Sequence, residues 1–241
     1  MRKIYENWRN FQNEEVKIYT DQETNDFPFQ VYCDLDGVLV DFEKGATGTI
    51  NADLQNPERV IALGGNHMKR FKKMVRKLKE LGRDLKITSE DFSKNAKLRI
   101  PAVRNYMYPR FQDNYEFWVG LKWMPDGREL WDHIKNFDPP PNILTAPMRG
   151  DKEGGDHKGK RMWVQKELKI SDERVIVEAD KAKHAIAGTG AQNVLIDDTP
   201  KKVNLWRDAG GLDILHTSTA DTIKKLDEIK AKSDVPEEPL E

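Results

Sequence analysis

Residues 29–42 read FQVYCDLDGVLVDF, and this stretch decides the fold. The apolar segment Phe29–Cys33 predicts a β-strand, and Asp34 and Asp36 follow it directly, before Gly37. In an open parallel sheet, ligands bind beyond the carboxyl ends of the strands. Asp34 therefore lies where a nucleophile is expected, and the glycine permits an unusual backbone angle or a close approach to a ligand. The alternative interpretation is a simple acidic turn after a strand.

Four further short apolar runs predict strands, and helical patterns separate them. The predicted strands are Asn142–Ala146, Arg174–Val177, Asn193–Ile196 and Asp213–His216, and the predicted helices are about 126–136, 157–168, 200–208 and 219–231. Strands that alternate with helices imply crossover connections and a parallel sheet. The sequence therefore predicts an α/β fold with a Rossmann-like parallel sheet flanked by helices.

Residues 43–124 interrupt this alternation. Their apolar residues recur at helical spacing, as in Met68, Phe71 and Val75, and they contain no clear strand. We expect a mainly helical cap inserted after the first catalytic strand. The predicted domains are listed in chain order: an N-terminal arm over 1–28, a core domain over 29–42 and 125–232, the cap over 43–124, and a disordered acidic tail over 233–241.

Two acids, Asp197 and Asp198, also follow the predicted strand Asn193–Ile196. Adjacent carboxylates repel one another, and a divalent cation removes that cost. Oxygen ligands of this kind favour Mg²⁺ over zinc. The alternative is structural, with Asp198 capping a helix that begins at Pro200.

Between the two acidic strand ends, Thr145 ends a strand and is suited to donating a hydrogen bond to a phosphoryl oxygen. Lys158, Lys160 and Arg161 follow at the start of a predicted helix, where one lysine could neutralise phosphate charge. Taken alone, the threonine is a weak signal because many threonines end strands, and a lysine in this position is more often a solvated side chain.

The order of these motifs resembles the haloacid dehalogenase-like phosphatase superfamily over about residues 29–216. Within that superfamily the sequence is most similar to the 5′(3′)-deoxyribonucleotidases. The matching segments are residues 34–42, the Pro125–Gly127 helix start, Lys160–Val164 and Leu195–Asp198. Two departures are clear, because Asp126 is inserted into the helix start and Ala146 replaces the family's serine.

The resemblance implies a Mg²⁺-dependent phosphatase with catalytic Asp34 and Asp36. Asp34 would be the nucleophile and Asp36 the acid and base. The resemblance also implies metal ligands and a phosphate-binding group. The metal would be held by Asp34, the backbone carbonyl of Asp36, and Asp197 or Asp198; the phosphate would be bound at Thr145, Ala146 and Lys160, with Lys158 as a rival to Lys160.

A nucleotide substrate would require aromatic residues that stack on its base. The candidates near the insert are Phe42, Phe111, Tyr115, Phe117, Trp118 and Trp123. The alternative for each of them is packing in an apolar core. We expect a small phosphomonoester substrate, and in particular a nucleoside monophosphate.

Charge and composition limit the partners. The chain carries 40 Lys and Arg against 41 Asp and Glu, so its net charge of −1 favours no partner class. From Gly64 to Arg110, however, there are fourteen basic and four acidic residues, which is compatible with nucleic-acid binding by the cap. The single cysteine, Cys33, excludes an internal disulfide and suits a reducing compartment. The sequence predicts a cytoplasmic location without membrane association, because it shows no signal-peptide pattern at the start and no apolar run of membrane length. The sequence is also compatible with a homodimer.

Two other functions fit the same pattern. One is a polynucleotide end-phosphatase that holds a strand with its basic insert, and its activity would depend steeply on salt. The other is a non-catalytic nucleic-acid-binding or protein-binding module on the same fold. The complete set of candidate catalytic residues argues against the non-catalytic module.

Overall fold

The computed structural model describes residues 27–92, 97–148 and 154–233. The predicted N-terminal arm and acidic tail therefore lie almost entirely outside the described residues. Five strands form one sheet, and they are β1 (Val31–Cys33), β2 (Asn142–Thr145), β3 (Val175–Val177), β4 (Val194–Asp197) and β5 (Leu212–Leu215). Every pairing is parallel, and the spatial order is β3-β2-β1-β4-β5.

Helices connect the strands and flank the sheet. Between β1 and β2 lie α1 (Phe42–Gln55), α2 (Glu58–Ile61), α3 (Gly65–Glu80), α4 (Pro101–Gln112), α5 (Tyr115–Val119) and α6 (Gly127–Ile134). The remaining helices are α7 (Gly155–Leu168), α8 (Pro200–Asp208) and α9 (Thr219–Ser233), and 3₁₀ turns cover Ser89–Phe92, Asp172–Arg174 and Lys181–His184. The predicted α/β class with a Rossmann-like parallel sheet is confirmed.

The apolar residues of the central strands are buried beneath the flanking helices. All four residues of β4 are buried, and so are Val31 and Cys33 of β1. Strands that are covered on both faces need this continuous apolar sequence. Cys33 is a buried free thiol, as its position in the apolar run predicts, and burial raises its pKa. It is therefore a packing residue of the sheet.

Residues 43–124 contain helices α1 to α5 and no strand within their described part. The two ends of this helical insert are joined at its base. The Asp41 backbone N–H donates to the Lys122 carbonyl at 2.9 Å, and the Met124 N–H donates to the Leu39 carbonyl at 2.8 Å. Val40 and Trp123 form an antiparallel bridge between these hydrogen bonds. The chain thus leaves and re-enters the sheet region at one place.

A buried carboxylate holds the interior of the insert together. Asp53 on α1 is fully buried, and it accepts hydrogen bonds from Tyr106 Oη at 2.7 Å and Arg110 Nε at 2.8 Å. Arg59 on α2 contacts the same carboxylate at 3.2 Å. A buried charge requires such partners. The network therefore links α1, α2 and α4.

No described helix combines the length and apolarity that crossing a membrane would require.

Candidate active site

The two acidic strand ends meet at one edge of the sheet. β1 and β4 are parallel neighbours, and the Asp34 N–H donates to the Ile196 carbonyl at 2.8 Å. This register places Asp34 beside Asp197 and Asp198. Carboxylate oxygens of the three residues all lie within 4.8 Å of one another. The predicted convergence of the acids is present.

Gly37 makes room for one of these acids. Its φ is +85°, a region that side chains rarely adopt. A Cβ atom at this position would lie 2.6 Å from Asp198 Oδ2. Glycine is therefore needed both for the backbone turn after β1 and for the position of the Asp198 carboxylate.

A lysine that the sequence did not single out joins the acidic cluster. Lys181 lies in the 3₁₀ turn after β3 and is 2% exposed. Its Nζ contacts Asp34 Oδ1 at 2.8 Å and Asp197 Oδ2 at 2.6 Å. Burial alone would lower the pKa of Lys181, but the two carboxylates raise it above its usual value. The lysine is thus a fixed positive charge between two buried acids.

The cluster retains excess negative charge. Lys181 contacts two of the three carboxylates, and burial and then the neighbouring Asp34 raise the pKa of Asp197 to about 6. This set of close oxygen donors fits a hard divalent cation such as Mg²⁺. Asp34, Asp197 and Asp198 are the side chains that could hold it. The Asp36 carboxylate is not part of this cluster. Asp36 could therefore contribute to a cation site only through its backbone carbonyl, as the sequence analysis predicts.

Asp36 belongs to a second cluster with Lys160 and Thr145. Lys160 is 1% exposed, and its Nζ donates to Asp36 Oδ2 at 2.6 Å, to Thr145 Oγ1 at 3.1 Å and to the Ala146 carbonyl at 2.5 Å. The end of β2, which carries Thr145, and the first turns of α7, which carry Lys160, therefore meet next to Asp36.

The two carboxylate oxygens of Asp36 have different surroundings. Oδ2 binds Lys160, whereas Oδ1 is buried and has no hydrogen-bond partner within the described residues. Burial raises the pKa of Asp36, and Lys160 partly opposes this rise. A raised pKa favours the protonated carboxyl, which can donate a proton to a leaving group.

The rival lysine, Lys158, lies elsewhere. It is exposed, and its Nζ lies 4.6 Å from the centre of the Tyr115 ring. Lys160, two residues further along α7, lines the cavity beside the acids. Of the two lysines that the sequence left as alternatives, Lys160 lines the cavity and Lys158 does not.

The acids lie in a cavity of about 550 Å³ between the sheet edge and the helical insert. The acidic and basic groups of both clusters line it, together with Arg104 of α4 and Lys202 of α8. Apolar and aromatic side chains form the remaining wall, and these are Phe42, Phe92, Met107, Tyr108, Trp118, Met124 and Met148. Asp41 and Glu43 also line the cavity, which therefore combines charged groups with apolar surfaces suited to a flat apolar group.

Only two of the predicted aromatic residues reach this cavity. Phe42 and Trp118 line it and stack on each other, with ring centres 5.2 Å apart. Lys160 Nζ lies 4.7 Å from the centre of the Trp118 ring. Trp118 therefore contacts both Phe42 and the charged group of Lys160.

The other predicted aromatic residues are outside the cavity lining. Phe111 is fully buried and stacks on Phe117, with ring centres 4.0 Å apart. Trp123 donates from Nε1 to Glu167 at 2.8 Å, and Tyr115 lies beneath Lys158. These four side chains are therefore not among those that line the cavity. The sequence shows that these residues lie near the end of the insert, but it does not show which side of each helix faces the cavity. For the same reason, the sequence analysis did not identify Phe92 and Tyr108, which do line the cavity.

No family model matches the chain, and no curated protein matches it. Among solved structures, it is similar to a hydrolase from Streptococcus pneumoniae TIGR4, with 14% identity, a TM-score of 0.43, and coverage of 86% of this chain and 100% of that one. It is also similar to a HAD hydrolase of family IA, variant 3, from Entamoeba histolytica HM-1:IMSS, with 13% identity, a TM-score of 0.38 and coverage of 84% and 99%. L-2-haloacid dehalogenase from Xanthobacter autotrophicus matches with 11% identity, a TM-score of 0.38 and coverage of 85% and 83%. Similarity this low leaves the function to be inferred from the geometry of the site.

Proposed function

We propose that the protein is a Mg²⁺-dependent phosphomonoester hydrolase that acts through an aspartyl-phosphate intermediate on nucleoside monophosphates. The observation that carries this proposal is the convergence of Asp34, Asp197 and Asp198 in one cavity, beside Lys160 and Thr145. In this proposal these residues act as a nucleophile, a cation site and donors for phosphoryl oxygens.

Asp34 is the nucleophile in this proposal. One of its carboxylate oxygens attacks phosphorus as the bond between phosphorus and the ester oxygen breaks. Asp36 gives its proton to the departing ester oxygen, so the alcohol leaves neutral. In the second step a water molecule attacks the same phosphorus and gives a proton to Asp36. Inorganic phosphate leaves, and the Asp34 carboxylate is regenerated.

The two buried lysines support different parts of this reaction. Lys160 and the Thr145 hydroxyl bind equatorial phosphoryl oxygens, where charge is spread during transfer. Lys181 orients Asp34 through its 2.8 Å contact and offsets part of the charge of the acidic cluster. Asp34, Asp197, Asp198 and the Asp36 carbonyl would hold Mg²⁺. When bound, Mg²⁺ supplies positive charge that reduces the repulsion between an anionic nucleophile and an anionic ester.

The aromatic lining of the cavity supports a nucleoside as the leaving group. Phe42, Trp118 and Tyr108 form this lining, and about 550 Å³ lies within the range for small-molecule sites. An aromatic base can stack on such side chains. A small sugar phosphate would leave these apolar surfaces in contact with water.

The test is a phosphate-release screen with Mg²⁺ over nucleoside monophosphates, sugar phosphates and 5′-phosphorylated DNA ends. We expect nucleoside monophosphates to be the best substrates, and we expect Asp34→Asn to remove turnover while Asp208→Asn, at the exposed end of α8, retains it. Near wild-type turnover by folded Asp34→Asn protein would refute the mechanism. Preference for sugar phosphates would refute the substrate class alone.

Asp36→Asn gives a sharper view of the two steps. Because p-nitrophenolate leaves without a proton, the variant should release about one equivalent of p-nitrophenol and then stall at the phosphoenzyme. Steady turnover without a burst would contradict the dual role of Asp36. Rapid quench and intact-mass measurement would detect the retained phosphoryl group.

A second candidate is a polynucleotide end-phosphatase, which the basic residues of α3 favour. In the same screen it would hydrolyse phosphorylated DNA ends faster than mononucleotides.

A further inference from the structure

Helix α3 separates its charged and apolar residues completely. Over Gly65–Glu80 it carries seven basic residues and one acid, Glu80. Phe71, Met74 and Leu78 are buried on one side. With about 100° between successive residues, all the basic residues fall on the opposite half of the helix. They form the cationic face, which consists of Lys69, Arg70, Lys72, Lys73, Arg76, Lys77 and Lys79, and all of them are exposed.

Few of these charges are neutralised. Arg76 and Lys77 share the single acid Glu80, at 3.6 and 3.4 Å. Lys69, Lys72, Lys73 and Lys79 have no acidic partner within the part of the chain that the structure describes. An ordinary solvated helix face mixes both signs, because pairs three or four residues apart stabilise the helix. The chain as a whole has a net charge of −1, so this concentration of positive charge is local.

The spacing of the cationic face suits a regular polyanion. Sixteen residues make a helix about 24 Å long, and basic side chains recur on each turn of about 5.4 Å. One strand of duplex DNA carries a phosphate about every 3.4 Å of its axis, so a helix of this length can face several phosphates at once. Every residue of the face is Lys or Arg, so it offers no aromatic side chain for base stacking.

From this pattern we propose that the cationic face of α3 binds the phosphate backbone of nucleic acid without reading its bases. A membrane surface is less suited to the helix. An interfacial helix inserts its apolar side into lipid, but Phe71, Met74 and Leu78 are occupied by packing within the protein. Binding to the nucleic-acid backbone needs the charges alone.

The face adjoins the helix that lines the catalytic cavity. Arg70 Nη1 donates to the Asn105 carbonyl of α4 at 3.2 Å, and a ring nitrogen of His67 lies 3.0 Å from the Pro109 carbonyl. α4 in turn contributes Arg104 and Tyr108 to the cavity. A bound nucleic acid would therefore lie one helix away from the proposed active site. The binding itself does not depend on the phosphatase proposal.

The test measures binding of a 20-base-pair DNA duplex with 5′-hydroxyl ends and a 3′ fluorophore, by fluorescence anisotropy at several NaCl concentrations. The variant is the triple substitution Lys69→Glu, Lys72→Glu and Lys73→Glu. The matched control is Lys122→Glu, Lys169→Glu and Lys232→Glu, which changes the net charge equally at exposed positions elsewhere.

We expect the wild-type protein to bind with an affinity that falls steeply with salt. In the α3 variant the affinity at 50 mM NaCl should fall at least about tenfold, and the slope of log K against log salt should lose about 2 to 3 units. The control should keep most of the wild-type affinity and slope.

Three results would overturn the proposal: no duplex binding by the wild-type protein, equal weakening in the two triple variants, or binding to phosphatidylserine vesicles in preference to DNA. Circular dichroism melting establishes that each variant is folded. Because the duplex carries no terminal phosphate, a failure of the phosphatase proposal would leave this result unaffected.

Discussion

At the level of single residues, Lys181 has the most direct effect on the candidate nucleophile. It contacts both Asp34 and Asp197 and is almost completely buried. Breaking a buried ion pair leaves a charge without compensation, which is strongly unfavourable. The position of the Asp34 carboxylate therefore depends on Lys181, a residue far away in the sequence.

We expect Lys181→Met to lower kcat at least about 100-fold, because the substitution removes a preorganised positive charge beside the reacting carboxylate. The matched control is Lys183→Met, at an exposed neighbouring position where the lysine contacts Glu178. Its kcat should stay within about twofold of wild type. Steady-state kinetics with a nucleoside monophosphate measure both variants, and equal losses would show that the turn, rather than the Lys181 charge, matters.

Sequence patterns predicted most of the charged residues of the site, but they did not predict Lys181. Asp34, Thr145 and Asp197 each end an apolar strand, so their positions follow from the strand pattern. Lys181 follows β3, which is separated from β1 by β2. Its side chain must extend across the edge of the sheet to contact Asp34. The spacing of residues near Lys181 in the sequence gives no indication of this contact. A polar residue soon after a strand end was the only available signal.

At the level of secondary-structure elements, the inserted Asp126 has a structural role. Its carboxylate accepts a hydrogen bond from the Thr219 backbone N–H at 2.9 Å, and the Thr219 hydroxyl donates to the Asp126 carbonyl at 3.0 Å. These contacts join the start of α6 to the start of α9. The Thr219 N–H hydrogen bond is the main cause of a lowered pKa at Asp126.

The lowered pKa sets the direction of a pH effect. A carboxyl whose folded-state pKa lies below its unfolded value adds stability above the unfolded pKa, and this stability is lost as the pH falls through the folded value. We expect Asp126→Ala to lower the unfolding free energy by about 1 kcal/mol at pH 7. The difference from wild type should shrink below about pH 4. Urea unfolding at pH 7 and pH 3 measures it, and an equal difference at both values would contradict the charged contact.

Helices α5 and α7 approach closely because position 159 is glycine. A Cβ atom there would lie 2.6 Å from the Tyr115 carbonyl oxygen and 2.5 Å from Trp118 Cβ. We expect Gly159→Ala to lower stability by about 1–3 kcal/mol, since the two backbones must separate. It should also raise KM, because Trp118 and Lys160 line the cavity.

Gly48→Ala is the matched control for this prediction. Gly48 lies in helix α1, and nothing would lie within 4 Å of its added Cβ. Alanine favours a helix interior by about 0.5–1 kcal/mol over glycine, so this variant should be more stable than wild type. Thermal unfolding of the two variants gives the comparison, and a stable Gly159→Ala protein would show that the helices can separate freely.

At the level of the whole molecule, the sheet could be predicted well and the interior of the insert could not. The strand runs are short, apolar and separated by helical patterns, so their parallel arrangement follows. The buried network around Asp53 has no such local signature. Its partners Tyr106 and Arg110 lie more than fifty residues along the chain. Packing among helices decides which polar residues are buried.

Cation binding should stabilise the folded protein as a whole. A ligand present at 100 times its Kd adds about 2.7 kcal/mol to the unfolding free energy. We expect saturating Mg²⁺ to raise the Tm by about 5 °C or more. Asp198→Asn should reduce this rise, whereas Asp208→Asn should not. Calorimetry with and without EDTA measures the shift without depending on activity, and an unchanged wild-type Tm would contradict the cation site.

The hydrogen-bonded base of the helical insert has a consequence for engineering and for evolution. Because Val40 and Trp123 are bridged neighbours, everything between them is a loop in the topological sense, however large it is. A tight turn could replace it, or an unrelated module could be grafted there, while the strand order stays unchanged. The surface above the clustered acids would then change by the exchange of one contiguous piece of chain, while the strand ends that carry those acids stay in place.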